Sequence, residues 1–217
     1  MTAAIAELRA VTYGYKRNTP VVTRLDATFE SGKVCAVTGP SGCGKSTILS
    51  LVGLLLKPQS GEVVVLGNRC AAAADAQRSA IRRRHVGFVF QDALLETSMT
   101  VWQNLAESLP PGSPVRKMRD RAAEAMNAFA LPTSLLDRKA LALSGGQAQR
   151  IAVVRAFLKK PEIILADEPT GNLDDRAGEA VLNALFDYGR QDGHACIIVT
   201  HDIRITERVD CEIRIGG

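Results

Sequence analysis

The sequence predicts an α/β domain, and three observations predict it. An apolar run at residues 33–38, KVCAVT, leads directly into the glycine-rich loop GPSGCGKST at residues 39–47, and an apolar helix pattern follows. A second apolar run, residues 163–166, ends on the adjacent carboxylates Asp167 and Glu168. A third, residues 195–200, ends on His201. Short continuous apolar runs suit strands buried on both faces, as in a parallel sheet covered by helices.

The elements follow in order. Residues 5–11 and 21–30 read as short N-terminal strands, the second alternating around Leu25, Ala27 and Phe29 before a Ser-Gly turn. Residues 33–39 form a buried strand, and residues 46–56 a helix ended by Pro58 and Gly61. Residues 61–68 are a strand bounded by glycines. Residues 71–84 are helical near their end, and residues 85–91 are a strand leading into a polar loop. After a Pro/Gly break at residues 110–114, Val115, Met118, Ala122, Met126 and Phe129 recur at three- and four-residue spacing, an amphipathic helix. Residues 161–169 are a central strand stopped by Pro169. Residues 174–188 are a helix with Val181, Leu182, Leu185 and Phe186 facing inward, and residues 194–201 the last core strand. There is no internal repeat and no low-complexity linker.

Composition narrows the function classes. The chain has 217 residues, 46% of them apolar, enough for one compact domain or a core with a small lobe, which excludes a disordered chain. A formal net charge of +4 is too small to indicate nucleic acid, and Arg82, Arg83, Arg84 and His85 read as a solvated face. The longest apolar stretches, such as residues 49–56, fall far short of the roughly 20 residues that span a bilayer. The start carries no export signal, so a cytosolic location is expected. Cys35, Cys43, Cys70, Cys196 and Cys211 lack paired spacing, which suggests neither a zinc site nor a disulfide framework. Only Cys43 stands where surrounding amides favour a thiolate.

The chemistry concentrates in three places. From Gly39 through Ser41, Gly42, Cys43 and Gly44, the loop turns successive backbone N–H groups toward one anion at a helix N-terminus. Lys45 reaches the β- and γ-phosphates, and Ser46, followed by Thr47, offers a hydroxyl to Mg²⁺. Asp167 and Glu168 leave a buried strand together, a costly arrangement unless a cation waits there. Asp167 would hold Mg²⁺ bound to ATP, and Glu168, on the other side of the strand period, would polarise the attacking water. The third place is Ser144, Gly145, Gly146 and Gln147, a capped and glycine-rich helix start that forms a second anion site. One chain has only one Lys-bearing phosphate loop, so this second site is surplus within a monomer. A two-fold dimer resolves the surplus if each subunit offers Ser144 and Gly146 to the γ-phosphate held by its partner's Lys45.

Together these residues resemble the ATP-binding subunits of ABC transporters over essentially the whole chain. Residues 39–47 resemble the Walker A motif, residues 143–147 the LSGGQ signature, and residues 163–168 the Walker B strand with its catalytic glutamate. Residues 171–174, ending on Asp174, resemble the loop that lines the dimer seam. His201 matches the switch histidine that contacts the γ-phosphate, and Gln91 the Q-loop glutamine, which also serves the metal with Ser46 and Asp167. Tyr15 sits where the family stacks an aromatic on adenine, with Tyr13 a close rival. The resemblance implies a P-loop NTPase fold of the ABC ATPase type. Residues 1–90 and 145–217 would be a RecA-like α/β core with a small antiparallel β-subdomain, and residues 91–144 an inserted helical subdomain.

It also implies ATP hydrolysis with Mg²⁺ in a homodimer or pseudo-symmetric dimer, catalysed by Glu168, His201, Lys45 and Gln91. That dimer would drive integral membrane permease subunits from the inner face of the cell membrane, without nucleic acid. The stretches ILADEPTGNLD and TVWQNL resemble the group of lipoprotein-releasing, macrolide- or peptide-exporting and division-associated ABC ATPases. An importer ATPase or a division-type regulatory ATPase is the alternative, and a soluble non-transport ABC protein a more distant one. The stretches LLETSMT after Gln91 and QRIAVVRAFLKKP in the signature helix depart from the group's usual pattern.

Overall fold

Residues 3–16 and 19–216 are described by a computed structural model of the chain, and two sheets organise them. Strands β1 (Ala4–Tyr13) and β2 (Val22–Glu30) pair antiparallel, and β3 (Lys33–Thr38) then enters the second sheet. After α1 (Lys45–Val52), β4 (Ser60–Val65) returns to β1, and a two-residue turn reverses it into β5 (Asn68–Arg69). Both turn residues, Leu66 and Gly67, have positive φ, 49° and 75°, the twist that a tight hairpin requires. The first sheet therefore runs β2-β1-β4-β5.

Helix α2 (Asp75–His85) leads to β6 (Val86–Val89), and then α3 (Val101–Ala106) and α4 (Val115–Ala128) follow. Short 3₁₀ turns at Thr133–Asp137 and Ala140–Ala142 lead into α5 (Gly145–Leu158). Strand β7 (Ile163–Asp167), α6 (Asp175–Gly189), β8 (Ala195–Val199), α7 (Ile203–Thr206) and β9 (Cys211–Arg214) complete the chain. The second sheet is parallel and runs β6-β7-β8-β3-β9.

The two-residue period of a strand splits the core between the faces of this sheet. Val34, Ile164, Ala166, Cys196 and Ile198 pack toward the helices α3 to α6. Cys35, Val37, Ile163, Leu165, Ile197 and Val199 pack toward α1 and the antiparallel sheet. Both sets are buried, so each strand reads as a continuous apolar run. Truncating one of these side chains to alanine, Ile164 for example, is worth about 2–5 kcal/mol.

Helix α1 is shorter than its apolar pattern suggests. The run of leucines predicts a helix to residue 56, yet it ends at Val52, and Leu54 turns with φ 57°. The cause is tertiary. Arg78 and Arg82 of α2 both donate to the Leu54 carbonyl, at 3.1 and 2.8 Å, and hold the chain out of the helix. Arg82 is thus half-buried and committed to this contact, whereas Arg83 and Arg84 are exposed. Among the described residues, no helix is long and apolar enough to cross a membrane.

Candidate functional site

The carboxyl ends of four adjacent strands, β6, β7, β8 and β3, open onto one cleft of about 630 Å³. The registers explain the convergence. Val89 pairs with Ala166, Asp167 with Val199, and Val199 with Val37, so the strands finish side by side. Gln91 follows β6, Asp167 and Glu168 close β7, His201 follows β8, and the glycine-rich loop follows β3. Ligands of open parallel sheets sit at this edge.

The loop's shape depends on glycine at its two ends. Gly39 has φ 148°, and a Cβ there would lie 2.3 Å from the Ile215 carbonyl oxygen. Gly44, the residue before α1, has φ 100°, and a Cβ there would meet Val21 at 2.9 Å. Lys45 Nζ donates to the carbonyls of Gly39 and Pro40, at 2.9 and 2.7 Å, which sets the ammonium over the loop. Ser41, Gly42, Ser46 and Thr47 also line the cleft. Cys43 does not. Its side chain faces Gly39 and Gly216 behind the loop, and its amide donates to the Pro40 carbonyl at 3.4 Å.

Asp167 is half-buried, and burial pushes its carboxyl pKa up, as does the charge of Glu168. A hydrogen bond from Ser46 and the charge of Lys45 act in the opposite sense. Glu168 has φ 44°, a strained conformation for a side chain of this size. Its backbone N–H donates to the Val199 carbonyl at 2.9 Å. Thr200 Oγ1 donates to one carboxylate oxygen at 3.2 Å, and His201 Nδ1 lies 2.6 Å from the other. Thr200 had no place in the sequence argument. Its signal is position alone, between a strand end and His201.

Tyr15 lines the cleft, its ring edge-on to Tyr13 and its hydroxyl 3.3 Å from Thr47 Oγ1. Tyr13 lines a different hollow, beside Leu54, Arg78 and Arg82. Val21 and Val199 add apolar wall that no motif marks.

Ser144, Gly145, Gly146 and Gln147 lie outside the cleft, at the start of α5. Ser144 accepts from the Gln147 amide at 3.3 Å, and the Gln147 side chain accepts from the Ser144 amide at 3.0 Å, a reciprocal cap. A Cβ on Gly145 would meet no atom within 4 Å. Gly146 faces Asn172 and Leu173, the loop after β7. Asp174 also lies outside the cleft and caps α6 by accepting from the Ala177 amide at 2.8 Å. Among the described residues no cluster of three His, Cys, Asp or Glu side chains is placed to hold a metal ion. The cleft instead presents hard oxygen donors, the Ser46 hydroxyl and the Asp167 carboxylate, with Gln91 also on its lining. That donor set suits Mg²⁺, a cation that keeps several water and phosphate oxygens.

Comparison with known proteins shows the family. The family profile described as "ABC transporter" matches residues 22–171. The lipoprotein-releasing system ATP-binding protein LolD of Xanthomonas oryzae pv. oryzae is 40% identical over 212 residues, covering 96% of this chain and 86% of that protein. LolD of Roseobacter denitrificans is 36% identical over 222 residues, covering 100% and 97%. Among solved structures, the dimeric bacterial ABC transporter cassette MJ0796 superimposes with a TM-score of 0.89 at 34% identity, covering 97% of this chain and 94% of that one. A dimeric post-hydrolysis state of the same cassette, bound to ADP and Pi, gives 0.88.

Proposed function

The chain belongs to the ABC transporter family of ATP-hydrolysing subunits, and on that premise we propose that it works as a head-to-tail dimer closed by ATP, driving a lipoprotein-releasing membrane permease. The observation that carries the reading is the split between two half-sites. Lys45, Ser46, Gln91, Asp167, Glu168 and His201 meet in one cleft, while the signature residues 144–147 stand capped outside it, their glycine face open. A second copy completes the first half-site with the second.

In this mechanism Tyr15 packs on the adenine. The loop amides and Lys45 hold the phosphates; Asp167, Ser46 and Gln91 would hold Mg²⁺, which would supply positive charge beside the transferred phosphoryl group. Glu168 accepts the proton of a water that attacks the γ-phosphorus in line with the leaving ADP oxygen. His201 and Thr200 fix both oxygens of that carboxylate. Ser144 and Gly146 of the partner subunit cover the γ-phosphate from the other side.

The permease contact falls beside Gln91. Phe88, Phe90, Leu94, Ser108, Arg155 and Lys159 line a groove of about 290 Å³, and Leu94 is exposed. This groove, with residues 91–104, takes a helix of the membrane subunit at the inner face of the membrane, so that release of phosphate at Gln91 moves that helix. The identity to LolD proteins, 36–40%, favours lipoproteins over peptide or antibiotic-like cargo. The decisive experiment is Glu168→Gln in the purified chain. Turnover falls by about 10²–10³-fold, and saturating ATP traps a dimer on size-exclusion chromatography. Normal turnover, or a monomer at saturating ATP, overturns the reading.

A further inference from the structure

Gln149 is 1% exposed, and its Oε1 has no hydrogen-bond partner, the sole such buried side-chain atom among the described residues. An unpaired buried acceptor is a standing cost to the fold, and an apolar side chain of the same length would avoid it. The other end of the amide gives a reason for its presence. Gln149 Nε2 donates to the carbonyl of Phe90 at 2.9 Å, the residue before Gln91.

That bond belongs to a set. Asn172 Nδ2, in the loop after β7, donates to the carbonyl of Gln91 itself at 2.9 Å. Arg155, about 1.7 turns along α5 from Gln149, donates to the carbonyls of Ala93 and Leu94 at 2.9 and 2.8 Å. Four of the five carbonyls from Phe90 to Leu94 are therefore held by side chains rather than by a ladder partner. Gln91 itself stays exposed, with its side chain on the cleft wall.

We infer that Gln149 and Asn172 are positioning residues for Gln91. They fix the two peptide carbonyls that flank its Cα, one from the signature helix and one from the loop beside Gly146. The reach of the Gln91 side chain into the cleft is thereby set by the same elements that present Ser144 and Gly146. A shift of α5 moves Gln91 relative to Asp167 and Lys45 without disturbing the loop that grips the phosphates. Such residues act on the chemical step rather than on nucleotide affinity, because placement errors of ångström size cost rate before they cost binding.

The inference rests on the proposed role of Gln91, and its own failure is distinguishable from the failure of that role. The test is steady-state ATP hydrolysis by the full-length chain carrying Gln149→Met, Asn172→Ala or Gln91→Ala, singly and combined. Gln149→Met removes the unpaired acceptor but also takes the donor from the Phe90 carbonyl, so the melting temperature of each variant is recorded beside its kcat. Asn172 is exposed in the single chain, so its truncation carries no packing penalty within the fold. Each positioning variant is expected to lower kcat by about tenfold with KM for ATP within about twofold of the parent. In the Gln91→Ala background the same substitutions have no further effect. A normal kcat in Gln149→Met and Asn172→Ala, beside an impaired Gln91→Ala, overturns the positioning role alone. Losses that persist in full in the Gln91→Ala background overturn it too. A normal kcat in Gln91→Ala removes the role of Gln91 and the inference with it.

Discussion

His201 Nδ1 lies 2.6 Å from Glu168 Oε1, joining residues that follow two adjacent parallel strands, β8 and β7. The contact is the tightest in a small network around a strained residue. Glu168 keeps its positive φ because three groups hold it: the Val199 carbonyl, the Thr200 hydroxyl and the His201 ring. Histidine here does two jobs at once. It fixes the rotamer of the carboxylate and, being mostly exposed itself, reaches the cleft where a terminal phosphate would lie.

Removing either partner should therefore affect chemistry and spare binding. His201→Ala leaves the Glu168 carboxylate with Thr200 alone, and kcat should fall by about 10²-fold. Thr200→Val keeps the histidine and removes one neutral hydrogen bond, so a loss of about tenfold is expected. In both variants ATP affinity, read by equilibrium binding, should stay close to the parent's, since the loop amides and Lys45 are untouched. A weakened ATP affinity with normal kcat would show that the pair serves binding instead.

How far the sequence carried can be judged from particular residues. Strands β3, β7 and β8 were legible because burial on both faces leaves no polar position to interrupt the apolar run. Strand β9 (Cys211–Arg214) was not read from the sequence. Its residues alternate between half-buried and exposed, and only pairing with β3 makes it a strand. The end of α1 was misread by four residues because Arg78 and Arg82, distant in sequence, take the Leu54 carbonyl. In the site, Lys45, Asp167, Glu168 and His201 were legible because their chemistry needs fixed neighbours in sequence. Val21, Thr200 and Gln149 were not, because each acts through a contact that exists only after folding, and the contact of Asn172 with the Gln91 carbonyl was hidden within the seam loop for the same reason.

Lys159 gives a pH test of the same packing. Burial, with Arg82 and Arg83 nearby, lowers its pKa from 10.5 to about 8, while Glu162 acts in the opposite sense. Its amine donates to the carbonyls of Arg82 and Arg83 at the end of α2, at 3.3 and 2.7 Å, which a neutral amine can still do. The folded state releases this proton before the unfolded chain does, so the unfolded state holds more protons between these two values. Stability from this group is thus present above pH 10.5 and is lost as pH falls through about 8. Lys159→Met removes the difference. In melting curves taken from pH 8 to 10, the parent should gain stability relative to the variant as pH rises. Parallel profiles would show that the ammonium is not buried in solution.

The sharpest separation of fold from function lies at Gly145. A Cβ at this position meets nothing within 4 Å, and the residue is the first of α5, so nothing inside the chain requires a glycine. An aspartate there also complements the helix dipole by about 0.3–1 kcal/mol, so Gly145→Asp should melt no lower than the parent. If the glycine instead leaves room for the phosphate of a second copy, the added carboxylate repels that anion and blocks closure. Turnover should then fall to background in a chain that still folds and still binds ATP. The direction of the defect can be read by mixing. A chain with Gly145→Asp keeps its own phosphate loop, and a chain with Lys45→Ala keeps its own signature residues. Mixed together, they build one composite site with both halves intact, so activity should appear that neither chain shows alone. No recovery on mixing, with dimers present, would place the signature residues in service of their own chain's nucleotide, against the open face they present at the start of α5.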